Sequence, residues 1–112
     1  MIYRRKKYKV NPLILESFNH HFNHTLLPTQ LKYGARLVGR WMKREDEEVE
    51  IFAIWEYDSY EEYEKIETKV RNDQAHLKRV QQWFEMHGGK ENLRNVFYKI
   101  EQDFVEDTVT HD

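Results

Sequence analysis

The chain has 112 residues, which is enough for one domain with a modest hydrophobic core. Its 18 basic and 20 acidic side chains give a formal charge of −2, too balanced to indicate nucleic acid or an anionic membrane as the main partner. The absence of cysteine excludes disulfides and cysteine-ligated zinc, and no apolar run approaches the roughly 20 residues of a membrane span. We therefore expect a cytoplasmic protein with no membrane-spanning segment.

The first 34 residues predict a strand followed by a helix. Residues 2–10 combine β-branched and aromatic side chains without helical periodicity, as strands do. Asn11 and Pro12 favour a helix start, because asparagine is a common N-cap and proline suits the first helical turn. We expect Pro28 to interrupt this helix and Gly34 to end the segment in a left-handed conformation. The apolar face of the helix consists of Leu15, Phe18, Phe22 and Leu26.

Residues 35–43 and 49–57 predict the second and third strands, joined by an acidic hairpin loop at residues 44–48. The third strand is apolar on both faces, with Ile51, Ala53 and Trp55 on one and Phe52 and Ile54 on the other. A single layer of helices covers only one face of a sheet. The second apolar face therefore predicts a second cover, and another copy of the same sheet is the simplest candidate.

The remaining chain predicts two helices and a fourth strand. Ser59 and Glu62 form a capping box for the second helix. The third helix is expected at residues 74–87, capped by Gly88 and Gly89, and the last strand at residues 93–104. The expected inward residues of the two helices are Tyr60, Tyr63, Ile66 and Val70, then Leu77, Val80 and Phe84.

The resulting order, βαββααβ, predicts an α+β ferredoxin-like fold whose antiparallel four-stranded sheet has the first and third strands at its centre. The domain covers residues 1–104, and the acidic residues 105–112 are predicted to form a flexible tail. The basic start of the chain should then lie beside the acidic last strand. Cross-strand pairs of opposite charge each contribute about 0.2–1 kcal/mol. The charges concerned are Arg4, Arg5, Lys6 and Lys7 on the first strand, and Glu101 and Asp103 on the last.

Three stretches of the sequence, IYRRKKYKVNP, LPTQLKYGARLVGRW and IWEYDSYEEYE, together resemble the NIPSNAP family of the dimeric α/β-barrel superfamily. The likeness extends over residues 2–104. Its most specific residues are Gly34, Leu37, Val38, Gly39 and Trp41, followed by Trp55, Tyr57, Asp58 and Ser59. The resemblance implies a homodimer in which the sheets of two ferredoxin-like subunits close a barrel. The resemblance does not supply a catalytic motif, and we expect no cofactor.

Two sets of residues could hold a metal or haem, and for both we favour a plain structural role. Glu16, His20 and His24 lie along one helical row, but that row faces away from the apolar stripe, and three side chains along one helix rarely converge on one tetrahedral ion. We expect a solvated face and no metal. His76 and Trp83 invite comparison with haem enzymes of the superfamily, yet they fit an ordinary first-turn histidine and a packing tryptophan.

The basic strand supports a ligand-binding hypothesis beside the ion-pair one. If Arg4, Lys6 and Tyr8 face the interior of a dimeric barrel, they would form with Trp41 or Trp55 an apolar chamber with a cationic spot. Such a chamber suits a small aromatic or acyl anion. Nucleic-acid binding of the RRM type is excluded, because the third strand is acidic and lacks the Lys/Arg-Gly start of that motif.

Two functional classes follow. The first is a non-enzymatic small-ligand-binding or interaction module, and it is favoured because no nucleophile or acid–base pair is evident. The second is a cofactor-independent or haem-related monooxygenase acting in the barrel. A void of a few hundred Å³ lined by Lys6, Tyr8 and a tryptophan would favour the second, and a packed interior the first.

Overall fold

The sheet organises the molecule. The computed structural model describes residues 1–110, in which four strands form one antiparallel sheet of order β2-β3-β1-β4. The strands are β1 (Ile2–Val10), β2 (Arg36–Arg44), β3 (Val49–Tyr57) and β4 (Phe97–Glu106). The predicted ferredoxin-like fold, with β1 and β3 central, is confirmed. The sheet stays open, with β2 and β4 as its edges, so one chain does not close a barrel by itself.

The strand register decides which basic residues meet acids. Lys6 lies opposite Gln102, whereas Arg5 lies opposite Asp103. The Arg5 Nη2 to Asp103 Oδ2 distance is 2.6 Å, so the predicted cross-strand pairing is correct for Arg5. It is wrong for Lys6, because successive side chains alternate between faces and the acids of β4 share the face of Arg5. Lys7 lies opposite Glu101 but forms its ion pair with Glu50.

The segment between β1 and β2 is one continuous but irregular helix. It consists of a 3₁₀ turn (Pro12–Ile14), α1 (Leu15–His21), a π turn (Phe22–Leu26) and α2 (Leu27–Lys32). Asn11 caps it as predicted, its side-chain oxygen accepting from the Leu13 N–H at 2.9 Å. Gly34 has φ +100°, which confirms the left-handed end.

Pro28 does not interrupt this helix, contrary to expectation. The Leu27 N–H bonds to the carbonyl of Phe22, five residues back, which is the wider register of a π turn. Pro28 follows directly, in the first turn of α2, so the residue without a backbone N–H stands where the hydrogen-bond register changes from five residues back to four.

Three helices follow β3. They are α3 (Tyr60–Arg71), α4 (Gln74–Met86) and α5 (Gly89–Val96). The Ser59 side chain accepts from the Glu62 N–H at 3.1 Å, as the capping box predicts. The inner face of α4 differs from the prediction: His76 and Trp83 are buried, whereas Leu77 is 41% exposed.

Helix α5 was not predicted. Gly88 and Gly89, both with φ above +80°, end α4 as expected but are followed at once by a further two turns of helix. The last strand therefore begins at Phe97, four residues later than predicted, and runs to Glu106. It thus takes up the first two residues of the segment assigned to the acidic tail, and residues 111–112 of that segment lie outside the described residues.

All the helices pack on the same face of the sheet, over two adjoining hydrophobic clusters. One cluster includes Val10, Phe18, Ile51, Trp83 and Leu93, and the other includes Phe22, Ala53, Trp55, Tyr57 and Ile66. Leu26, in the π turn, packs against both. Within residues 1–110, no helix is both long enough and apolar enough to cross a membrane.

Candidate ligand-binding site

A pocket of about 400 Å³ lies between the helices and the sheet. Its residues come from β1, the irregular helix, α4, α5 and β4. The polar lining residues are Lys6, Tyr8, His21, Lys90 and Arg94, and the apolar ones are Phe18, Leu26, Trp83, Phe84, Leu93, Phe97 and Ile100. Helix α5, which was not predicted, therefore supplies one wall.

Lys6 gives the pocket a charged group from the helix-covered face of β1. It lies in mid-strand and its Nζ is 5.7 Å from the centre of the Tyr8 ring. Burial lowers the pKa of the Lys6 ammonium, repulsion from Arg4 lowers it further, and attraction to Glu67 opposes both. Among the described residues Lys6 forms no ion pair. A half-buried ammonium without a carboxylate is costly unless a ligand or water compensates it.

Aromatic rings form the inner end of the pocket. Tyr8 meets Phe18 edge to face at 5.1 Å between ring centres, and Phe18 meets Phe97 in the same way at 4.9 Å. Burial raises the pKa of Tyr8 to about 12, so its hydroxyl stays protonated near neutral pH.

His21 and Trp83 form the side of the pocket. The two rings stack with their centres 4.5 Å apart and an angle of 4° between their planes. Burial lowers the pKa of His21 to about 4, helped by the nearby His76, His87 and His20, so the imidazole is neutral near pH 7.

A hydrogen-bond chain holds Trp83 in place. Its Nε1–H donates to Ser17 Oγ at 3.1 Å, and Ser17 Oγ lies 2.7 Å from His87 Nε2. The indole only donates, so Ser17 Oγ accepts from Trp83, and the tautomer of His87 decides which partner donates in the second hydrogen bond. The chain thereby ties α1 to the end of α4 beside the pocket.

The five residues predicted to bind a ligand lie in three different places. Lys6 and Tyr8 line the pocket. Arg4 and Trp55 are buried nearby, 5% and 4% exposed, in a packed arrangement. The Arg4 guanidinium there lies over the rings of Trp55, Tyr57 and Tyr63 at 5.3–5.9 Å and 3.6 Å from Glu67.

Trp41 lies on the opposite face of the sheet, where no helix packs. Its ring centre is 5.3 Å from that of Phe52, and it is 48% exposed. The ligand-binding hypothesis left open whether Arg4, Lys6 and Tyr8 face the interior of a barrel between two sheets; in the single chain they face the helices. The pairing of Lys6 with Ala53 and of Tyr8 with Ile51, two buried residues, fixes this orientation.

The remaining polar residues of the pocket escaped sequence analysis. Lys90 and Arg94 are one turn apart on a helix that was read as a turn and strand. His21 was passed over in favour of His20 and His24, which are exposed as expected, with ring centres 4.1 Å apart. Within residues 1–110, no three candidate metal ligands converge at one point.

Comparison with known proteins settles the family. The NIPSNAP family model matches residues 3–97. The chain belongs to the NIPSNAP family. Its members among solved structures include an uncharacterized NIPSNAP domain protein from Burkholderia xenovorans, with 18% identity, a TM-score of 0.70 and coverage of 100% of both chains.

Other solved structures share the fold at similarly low identity. A NIPSNAP family protein (Atu5224) from Agrobacterium tumefaciens has 13% identity and a TM-score of 0.74, covering 96% of this chain and 92% of its own. A dimeric ferredoxin-like protein from an uncultured marine organism has 19% identity and a TM-score of 0.54, with 98% of both chains covered. A search of curated protein sequences gave no match.

Proposed function

We propose that this NIPSNAP protein binds a small organic anion with an apolar body in the pocket between its helices and its sheet. The observation that carries the proposal is the composition of the pocket: Lys6, Lys90 and Arg94 line it, and no carboxylate does. Apolar walls with a few placed polar groups are typical of small-molecule sites. The volume of about 400 Å³, with Lys6, Tyr8 and a tryptophan in its lining, favours an open site over a packed interior.

Isothermal titration calorimetry with 2-naphthyl sulfate and 2-naphthol tests this function, since the two probes share a ring system and differ in charge. The sulfate should bind more tightly. Lys6→Met should weaken its binding about tenfold or more, because a hydrogen bond to a charged group contributes about 1.5–3 kcal/mol.

Lys7→Met is the matched control. It removes the same charge from the neighbouring residue, which points to the other face of the sheet and is paired with Glu50. Equal binding of the two probes, or equal effects of the Lys6 and Lys7 substitutions, would contradict the proposal.

The cofactor-independent monooxygenase hypothesis uses the same pocket, and its condition on volume and lining is met. It requires oxygen consumption in the presence of an electron-rich aromatic anion such as 1-hydroxy-2-naphthoate. If the protein binds that compound but an oxygen electrode shows no oxygen uptake, the monooxygenase hypothesis is contradicted and ligand binding is the function.

We further propose that two copies pair through the open face of the sheet, the one opposite the helices. The middle of this face is apolar on β2 and β3, with Trp41, Phe52 and Ile54. The part on β1 and β4 carries both signs of charge, including the Arg5–Asp103 pair. A surface that mixes charges in this way can be complementary to itself. A structural neighbour is described as a dimeric ferredoxin-like protein, which supports the formation of a dimer. A cytoplasmic location stays a prediction from the cysteine-free composition.

A further inference from the structure

The three cations of the pocket stand on two elements that face each other. Lys90 and Arg94 are four residues apart on α5, so their side chains leave the same side of the helix one turn from each other. Lys6 comes from β1, beneath the helices. All three line the same pocket, so a single ligand can reach them together.

In the described part of the chain, the protein compensates these cations only weakly: Lys6 is attracted to Glu67 without an ion pair, and Lys90 and Arg94 are exposed. Among residues 1–110, none of the three takes part in an ion pair. The contacts recorded for two of them are with rings: Lys6 with Tyr8, and Lys90 with Phe84 at 5.9 Å. The chain as a whole carries a formal charge of −2, so three cations in a pocket lining that has no carboxylate are a local feature of the fold.

We infer that the ligand carries a doubly charged phosphate monoester on a planar aromatic body. One negative charge would leave two of the three cations unpaired, whereas a phosphate monoester offers nearly two charges and three acceptor oxygens. The aromatic body follows from the walls, because rings prefer to pack against rings. Five of the lining side chains are Tyr8, Phe18, Trp83, Phe84 and Phe97. The inference rests on the proposed function and narrows its ligand class.

The test compares 2-naphthyl phosphate with 2-naphthyl sulfate by calorimetry at pH 8, where the phosphate is fully dianionic because its second pKa is about 6. Both heads are tetrahedral and differ by one charge. We expect the phosphate to bind about tenfold tighter, the gain typical of one added charged hydrogen bond. The double substitution Lys90→Gln with Arg94→Gln should bring the affinity ratio of the two probes close to one.

The matched control is Lys65→Gln with Lys69→Gln. These lysines are also four residues apart, exposed, and on α3, where they lie beside Glu61 and Glu64. Their removal should leave the affinity ratio unchanged.

A wild-type ratio near one, with both probes bound, would overturn the phosphate inference while sparing the proposed function. Failure of both anions to bind more tightly than 2-naphthol would overturn both. Equal loss of the ratio in the α3 control would show a general charge effect and also overturn the inference.

A phosphate monoester can be a soluble compound or the head of a lipid such as phosphatidate. Sedimentation with phosphatidylcholine vesicles, with and without phosphatidate, separates the two sources. Co-sedimentation that requires phosphatidate and is lost with the α5 substitutions would assign the phosphate to a lipid head and overturn the aromatic body. Its absence, alongside tight 2-naphthyl phosphate binding, would assign the soluble ester.

Discussion

Gly39 and Trp41 show how a single residue shapes the open face of the sheet. They are two apart on the edge strand β2, and a Cβ at Gly39 would lie 2.3 Å from the Trp41 ring. The indole therefore lies flat against the glycine, an arrangement by which aromatic side chains cover strand glycines. The position of Trp41, and with it the apolar part of this face, depends on the missing side chain.

Gly39→Ala should force the Trp41 ring off its preferred position and reduce the free energy of unfolding by about 0.5–1.5 kcal/mol, the usual cost of a distorted rotamer. Tryptophan fluorescence and urea unfolding measure the two effects. In a Trp41→Ala background the same substitution should cost nothing further. An unchanged cost there would show that the indole is not the cause.

His21 makes stability depend on pH. Its pKa is about 4 in the folded chain and near 6.5 when unfolded, so the fold favours the neutral ring. Its contribution is complete above pH 6.5 and is lost as the pH falls from 6.5 through 4. We expect urea unfolding to show a loss of about 2 kcal/mol between pH 7.5 and 4.5.

His21→Phe should remove most of that loss while keeping a ring stacked on Trp83. His24→Gln, an exposed histidine three residues away, should leave the loss intact. Identical pH profiles for wild type and His21→Phe would assign the acid sensitivity to other groups.

Among the elements, the helices have some features that the side-chain pattern predicts and others that it does not. The stripe Leu15, Phe18, Phe22 predicted the buried face of the irregular helix, and all three are buried. The π turn and the tolerance of Pro28 came from the register of backbone hydrogen bonds, which no side-chain pattern reports. Helix α5 was missed because Leu93 is its one fully buried residue, and one apolar residue makes no stripe.

Helix α3 depends on its cap. Ser59→Ala removes the acceptor for the Glu62 N–H and should cost about 1 kcal/mol, the usual price of a lost N-cap. Thermal unfolding should shift down by about 4–8 °C. Ser59→Asp restores an acceptor and should recover most of the shift, whereas an equal loss in both variants would point to a cause other than the cap.

For the whole molecule, the two faces of the sheet have different roles. One face packs on the helices and holds the pocket, and the other presents Phe52 and Ile54 half-buried in the single chain. Pairing of two copies through that second face accounts for a strand that is apolar on both sides.

Native mass spectrometry should therefore give twice the 13.9 kDa chain mass. Ile54→Lys, which places a charge in the centre of the open face, should shift the protein to monomer. Leu13→Lys places a charge in the 3₁₀ turn outside the sheet, at a site that is 91% exposed, and should leave the dimer intact. A monomeric wild type would contradict the pairing.

By itself the sequence determined the order of the strands, the limits of β1 and β3, the caps at Asn11 and Ser59 and the family. These features follow from local conformational preferences and from the alternation of side chains along a strand, both of which depend on residues close together in the sequence. Only the tertiary structure decided the site. The register between β1 and β3 decides that Lys6 lies on the face of the sheet covered by helices. The wall with Lys90 and Arg94 exists only because α5 packs beside β4. Contacts between distant segments leave no periodic trace in the chain, because each segment alone would accept several neighbours.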